Sequence, residues 1–348
     1  MRISAIIAAG VSAVLLFGLS ACSSDIISPE DLVMPENNNH IFGNDAPESV
    51  FTPQTTVGQV ISDPAFGDFG RLLFPVDRNV SPSMTLSDVS STGVYMWYPY
   101  ICVEKTVEVL NYLRDEAMSG HRIFYSIYSP EEIADDPSKA DTGLFVFRGD
   151  SGKPFAITNA GGGFAYVGAM HDSFPHSLEI ARAGYTAFAL IYRPDDPYRD
   201  LARAIMFVSA NAEVLGVARE NYSLWGGSAG ARMAATLGNK DYLTQLTRGG
   251  DIPQAAAVVM QYTGYSDASA SDAPTYSCVG SADGIAPWRV MQTRLERLSA
   301  MGIPTEFHVY DGLGHGFGIG TGTTAEGWVD DAIRFWRSNM KSSGSAGL

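Results

Sequence analysis

The sequence predicts an α/β protein built on a doubly wound, mostly parallel sheet, and two observations carry that expectation. Short apolar runs recur along the chain with helical stretches between them, the alternation that a sheet with crossover helices requires. Glycine-rich loops follow several of these runs, at the carboxyl ends of strands, where open sheets place their chemistry. The runs cover residues 144–147, 154–158, 186–192, 222–225, 255–262, 275–279 and 306–310. Between them, residues 200–215 carry Leu201, Ile205, Val208, Ala212 and Leu215 at helical spacing, which reads as core packing. Ahead of the first run, Val103–Met118 reads as an amphipathic helix with Val103, Val107, Leu110 and Ala117 on one face, ending before Gly120.

The most informative loop is Gly226-Gly227-Ser228-Ala229-Gly230, which follows the 221–225 run and opens a helix of small residues. A strand that ends in a sharp turn bearing serine between glycines lifts the hydroxyl clear of the sheet. The helix N-terminus beside it favours a developing oxyanion. A serine nucleophile needs a base, and the base needs an orienting acid. Strand 275–279 empties into Gly280-Ser281-Ala282-Asp283-Gly284, and strand 306–310 into Asp311-Gly312-Leu313-Gly314-His315-Gly316-Phe317-Gly318. Asp283 and His315 each sit just past a strand end, in the order Ser, acid, His. Asp311 is the rival acid, four residues before His315; Asp283 is preferred because a neighbouring loop reaches the imidazole from the side away from serine.

Oxyanion donors are expected upstream. Strand 154–158 runs into Asn159-Ala160-Gly161-Gly162-Gly163-Phe164, where successive glycines let backbone N–H groups approach a substrate carbonyl. The other histidines read differently. His308 lies inside a strand as a packed or edge residue, and His171 and His176 flank a helix start, where they could line a pocket but read rather as surface or capping residues. His40 belongs to a polar linker and His121 to a segment after a helix end.

These residues resemble a known family, the serine esterases of the α/β-hydrolase superfamily, near the hormone-sensitive-lipase-like and bacterial acetyl (xylan) esterase branches. The resemblance rests on the stretches 160–164, 226–230, 280–283 and 314–318. Ile191-Tyr192-Arg193-Pro194 is similar to a segment after the third core strand, and the tail from Thr321 into Phe335-Trp336 to a C-terminal helix. It spans roughly residues 140 to 340. The resemblance implies the α/β-hydrolase fold, with Ser228 as nucleophile, Asp283 as acid and His315 as base. The oxyanion hole falls on the Gly161-Gly162-Gly163 loop and Ala229, with the N–H groups of Gly162, Gly163 and Ala229 as donors. One departure stands out: where that family commonly has His before three glycines, this chain has Ala160, which leaves the branch and the loop geometry open.

The chain start suggests a location. Met1-Arg2 is weakly basic, and the apolar run from Ile6 to Leu19 is too short to span a bilayer comfortably. Leu19-Ser20-Ala21-Cys22 resembles a bacterial lipobox, so Cys22 is the expected lipidation site and the cell envelope, periplasmic or surface side, the expected location. The expected organisation is a signal peptide (1–21), a tether (22–50), an N-terminal extension or partial lid (51–140), a catalytic domain (141–341) and a flexible tail (342–348). Within the extension, the aromatics of residues 95–100 read either as core filler or as a stacking surface for a sugar or aromatic substrate.

Composition narrows the partners. The 348 residues are 45% hydrophobic, enough for a large core, and carry a net charge of −15. That charge argues against nucleic acid, and against a basic membrane-binding patch, leaving the lipid anchor as the membrane contact. No metal-ligand spacing occurs and no cofactor is expected; Cys102 and Cys278 read as free, packed thiols. The expected function is hydrolysis of short-chain, above all acetyl, esters of small molecules or oligosaccharides. A feruloyl-type esterase, a serine peptidase on the same fold and an inactive surface binding protein are the alternatives.

Overall fold

The computed structural model describes residues 51–341. The expected signal peptide, tether, Cys22, His40 and tail lie outside the described residues. Eight strands form one sheet: β1 (Phe124–Ser126), β2 (Gly143–Phe147), β3 (Pro154–Asn159), β4 (Ala187–Ile191), β5 (Ala218–Gly227), β6 (Ala257–Gln261), β7 (Thr275–Gly280) and β8 (Thr305–Tyr310). Their order is β1-β2-β4-β3-β5-β6-β7-β8, antiparallel at β1–β2 and β2–β4 and parallel from β4 to β8. β2, β4 and β6 are buried along their whole length, as strands covered on both faces must be.

Six longer helices cover the sheet: α1 (Val103–Met118), α2 (Phe174–Arg182), α3 (Pro197–Ala210), α4 (Ala229–Gly238), α5 (Trp288–Ala300) and α6 (Trp328–Ser338). α2 and α6 pack together over one face, α3 and α4 over the other, giving the expected double winding. The sheet reads as the sequence predicts, with two main differences. β1 was not expected; three residues carry too little alternation to register, and pairing with β2 makes the strand. β5 begins at Ala218, because Ala218 pairs with Pro154; the register then shifts, and pairing resumes at Ser223 opposite Ala156, leaving residues 219–222 between the two paired stretches.

The helix expected over 200–215 is instead α3. Pro197 opens it at the first turn, where no N–H is needed, and Asn211 caps it by donating to the Phe207 carbonyl at 2.8 Å. The face of α1 is rotated from the expected one. Thr106, Val109, Leu110, Leu113 and Ala117 are buried, whereas Val103 and Val107 are only half-buried.

The extension shares the core of the sheet rather than standing apart from it. Phe69 stacks on Phe124 of β1 at 5.0 Å and meets Phe145 of β2 edge-on at 5.8 Å. Arg114 of α1 pairs with Asp63 at 3.0 Å, both largely buried. The extension is thereby fixed to the sheet, and its residues 95–100 reach the carboxyl ends of the strands.

Candidate active site

Ser228 joins β5 to α4 with φ +51° and ψ −112°, a conformation side chains rarely adopt. The flanking glycines allow it. A Cβ at Gly226 would overlap the backbone of Gly230, and a Cβ at Gly230 would overlap the Asn159 carbonyl. The Ser228 N–H bonds the Gln261 carbonyl at 3.0 Å, so the turn is pinned to the end of β6. The hydroxyl is left half-buried at the start of α4.

The structure brings the three expected residues together. His315 Nε2 lies 3.1 Å from Ser228 Oγ, and His315 Nδ1 lies 2.8 Å from Asp283 Oδ2. A carboxylate only accepts, so Nδ1 carries the proton and Nε2 is free to accept from the serine hydroxyl. The second oxygen of Asp283 takes the N–H groups of Ile285 and Ala286 at 2.8 and 2.7 Å, which fixes the carboxylate plane. Asp311, the rival, is exposed and accepts from the Ser281 hydroxyl instead. His308 is a half-buried strand residue bonded to Glu306, and His121 is exposed beside Glu116.

The glycine loop after β3 faces this group. The N–H of Gly161, the loop residue not expected to act as a donor, is spent on Asp172 Oδ2 at 2.7 Å. Gly162 and Gly163 take φ +130° and +64°, and a Cβ at Gly162 would overlap the Tyr166 carbonyl. The Ala229 N–H is in the first turn of α4, where no intrahelical acceptor exists. Gly162, Gly163 and Ala229 are thus the amides available on this side of Ser228. Ala160 is fully buried and its carbonyl accepts from the Tyr192 hydroxyl at 2.7 Å; Asn159 donates to the Trp225 carbonyl at 2.8 Å. The loop is therefore held from behind by Tyr192 of the Tyr-Arg segment, without a histidine at residue 160.

Sequence reasoning missed a set of buried polar residues beneath the site. His171 and His176, expected in surface or capping roles, are both buried. Desolvation holds His171 down at about 4 and His176 at about 3, so both are neutral. His171 Nε2 donates to the Gly316 carbonyl at 2.9 Å, and His176 Nε2 to Gln261 Oε1 at 2.8 Å. Gln261 in turn donates to the Gly318 carbonyl at 2.8 Å. Asp172, only 2% exposed, accepts from the Gly161 N–H, from the Tyr98 hydroxyl at 2.8 Å and from the Tyr262 hydroxyl. Burial pushes its carboxyl up to about 6, against the pull of these three donors and of the nearby His315. The signal in sequence is slight: one His-Asp pair in the small-residue stretch after the glycine loop.

The aromatic stretch 95–100 lies across these loops and is part buried, part exposed. Tyr95 and Tyr98 are buried, whereas Met96, Trp97 and Tyr100 are exposed. Trp97, at φ +77°, places its indole 3.0 Å from where a Gly163 Cβ would sit and stacks on Tyr166 at 6.1 Å. The Tyr100 hydroxyl accepts from the Gly314 N–H at 3.3 Å.

Cys102 and Cys278 are free thiols, the first half-buried and the second buried in β7. Among the described residues, no group of three or more His, Cys, Asp or Glu is arranged to hold a metal ion, and no helix is long and apolar enough to cross a membrane.

No protein-family model matches the chain, and no curated protein matches it. Solved structures do. An acetyl ester-xyloside bifunctional hydrolase from Caldicellulosiruptor lactoaceticus superposes with a TM-score of 0.53 at 21% identity, covering 62% of this chain and 95% of that one. Esterase 2 of Thermogutta terrifontis gives 0.50 at 20% identity, covering 57% of this chain and 90% of that one. The carboxylesterase Cest-2923 of Lactobacillus plantarum gives 0.50 at 16%, covering 57% and 94%. With its strand order and flanking helices, the chain has the α/β-hydrolase fold.

Proposed function

We propose that this protein is a serine carboxylesterase that hydrolyses short-chain esters, acetyl esters above all, through an acyl-enzyme. One observation carries the reading: His315 bridges Ser228 and Asp283 at 3.1 and 2.8 Å, with Ser228 raised on a left-handed turn at a helix N-terminus. His315 takes the hydroxyl proton through Nε2 as Oγ attacks the ester carbonyl, and Asp283 stabilises the imidazolium that forms. The tetrahedral oxyanion is received by the amides of Gly162, Gly163 and Ala229. His315 then protonates the departing alcohol, and the acyl group is transferred to water by the same path in reverse. The acetyl preference is supported by the structural likeness to an acetyl ester-xyloside hydrolase, which also suits an oligosaccharide alcohol. The lipobox-like Leu19-Ser20-Ala21-Cys22 supports a lipid-anchored cell-envelope enzyme.

A second reading, for an aromatic ester of the feruloyl type, is favoured by Trp97, which is 41% exposed beside Gly163. An indole there offers a flat face to a ring bound next to the oxyanion loop.

The test is hydrolysis of p-nitrophenyl esters from acetate to dodecanoate, and of methyl ferulate, by the protein and its Ser228→Ala variant. The expected profile peaks at acetate, and the variant loses about 10⁶-fold in kcat, the scale of nucleophile removal in such triads. Equal rates for the two proteins would sink the serine mechanism. A preference for ferulate that Trp97→Ala abolishes would move the assignment to the second reading.

A further inference from the structure

Asp172 is a buried carboxylate that the proposed reaction does not use, and its three partners come from three different segments. The Gly161 N–H belongs to the oxyanion loop, the Tyr98 hydroxyl to the extension, and the Tyr262 hydroxyl to the loop after β6. Tyr262 passes the contact on. Its hydroxyl also accepts from the Gly318 N–H at 3.3 Å, and its ring lies 4.9 Å from the imidazole of His315. The carboxylate further lies under the elbow, since a Cβ at Gly227 would overlap its oxygens. One side chain therefore touches the glycine loop and the elbow and, through Tyr262, reaches the loop of His315.

From this geometry we infer that Asp172 is a positioning residue, holding the oxyanion loop and the loop of His315 at their working separation. The inference rests on the esterase reading above. Its chemistry follows from what a carboxylate offers. Asp172 accepts three hydrogen bonds and donates none, so it gathers N–H and O–H groups that a neutral side chain of that size would not. An asparagine at residue 172 supplies one acceptor oxygen and one NH₂ group. With the oxygen toward Gly161 and Tyr98, the NH₂ faces the Tyr262 hydroxyl, which already accepts from Gly318 and is left without a place for its own proton. The Tyr262 contact, and with it the loop of His315, is what that substitution loosens.

The experiment compares wild type with Asp172→Asn and Tyr98→Phe. Active sites are first titrated with a fluorophosphonate, and p-nitrophenyl acetate turnover is then expressed per labelled site. Asp172→Asn is expected to lower kcat and the fluorophosphonate rate constant together by about 10²-fold, the cost of a ~1 Å misplacement, with KM changed less than about twofold. Its thermal midpoint is expected to stay level or rise at pH 7.5, because the buried carboxylate opposes folding there. Tyr98→Phe, which removes one donor and keeps the ring, is expected to lower kcat by about 3- to 10-fold. A merely structural aspartate would lose stability and leave the rate per titrated site unchanged, and that result overturns the inference. Full rates in both variants overturn it as well. A wild-type protein whose Ser228 takes no fluorophosphonate overturns the hydrolase reading beneath it, and the two failures are thereby distinct.

Discussion

The two glycine loops that meet over Ser228 are held by chemically different means. The glycine loop after β3, the proposed oxyanion loop, is held by charge, through the Gly161 N–H on the Asp172 carboxylate, with Tyr192 supporting the Ala160 carbonyl. The backbone of the loop of His315 is bonded directly to neutral groups, with the Asp172 carboxylate reaching it only through Tyr262. His171 donates to Gly316, Gln261 and Trp328 donate to Gly318, and the amides of Gly314 and Gly318 rest on Tyr100 and Tyr262. The difference suits the proposed roles. A loop whose amides must face a transient anion can be fixed from behind by an anion turned away from the site. A loop that presents a base gains from having no cation or anion bonded to its own backbone, since a charge that close would shift the imidazole as it gains and loses a proton. Asp283 is then the one carboxylate bonded to His315.

The largest effect that separates the loops is expected at Gly162. Gly162→Ala drives a methyl group into the Tyr166 carbonyl from a backbone at φ +130°, so the oxyanion loop must open. Turnover of p-nitrophenyl acetate should fall by about 10²–10³-fold, the cost of an oxyanion donor, while the far-ultraviolet circular dichroism stays native. A variant within tenfold of wild type would remove Gly162 from the oxyanion hole. On the other loop, His171→Gln keeps a donor but shortens its reach to Gly316. A loss of about tenfold in kcat is expected, of the order of one misplaced hydrogen bond. Unchanged turnover would show that Gln261 and Trp328 suffice to hold the loop.

What the sequence disclosed of these loops follows from how far apart the interacting residues lie. The elbow, the triad candidates and the glycine loop are local patterns: a strand, a turn, and a residue type fixed by backbone geometry. Ser228, Asp283 and His315 therefore stood in the sequence, along with seven of the eight strands. The supports did not. Tyr98 and Tyr262 lie 74 and 90 residues from Asp172, and neither has a local pattern that names its partner. His171 and His176 read by default as surface or capping residues at a helix start, and their burial is a tertiary property. The Gly161 amide follows the same rule: that it goes to a carboxylate 11 residues on is a tertiary fact.

The same contrast predicts a pH dependence of stability. His171 and His176 sit near 4 and 3 in the folded protein against an ordinary 6.5, so between pH 6.5 and 4 the unfolded chain binds two protons that the folded one refuses. Asp172 runs the other way: raised from 3.8 to about 6, it takes up a proton in the folded state before the unfolded chain does. The net is about one proton in favour of unfolding, so stability should fall by ~1.4 kcal/mol per pH unit as pH drops from about 6 to 4. Asp77 and Asp196, also raised by burial, act in the direction of Asp172, which makes a variant the cleaner readout. In Asp172→Asn the slope of the urea-unfolding free energy against pH should steepen by about one proton. An unchanged slope would mean that this carboxylate does not titrate between the two states.

The smallest effect is expected at Tyr100, and it tests how tightly the extension governs the loops. Tyr98 donates to the carboxylate behind one loop and Tyr100 accepts from an amide of the other, and their settings differ. Tyr98 is buried and bonded to a carboxylate at 2.8 Å, whereas Tyr100 is 37% exposed and meets the Gly314 amide at 3.3 Å. A long hydrogen bond open to water exchanges with solvent at little cost, so Tyr100→Phe should change kcat by no more than about twofold. A fall as large as that of Tyr98→Phe would reverse the ranking. The loop of His315 would then be held from the extension side, through Gly314, rather than from beneath through His171 and Tyr262.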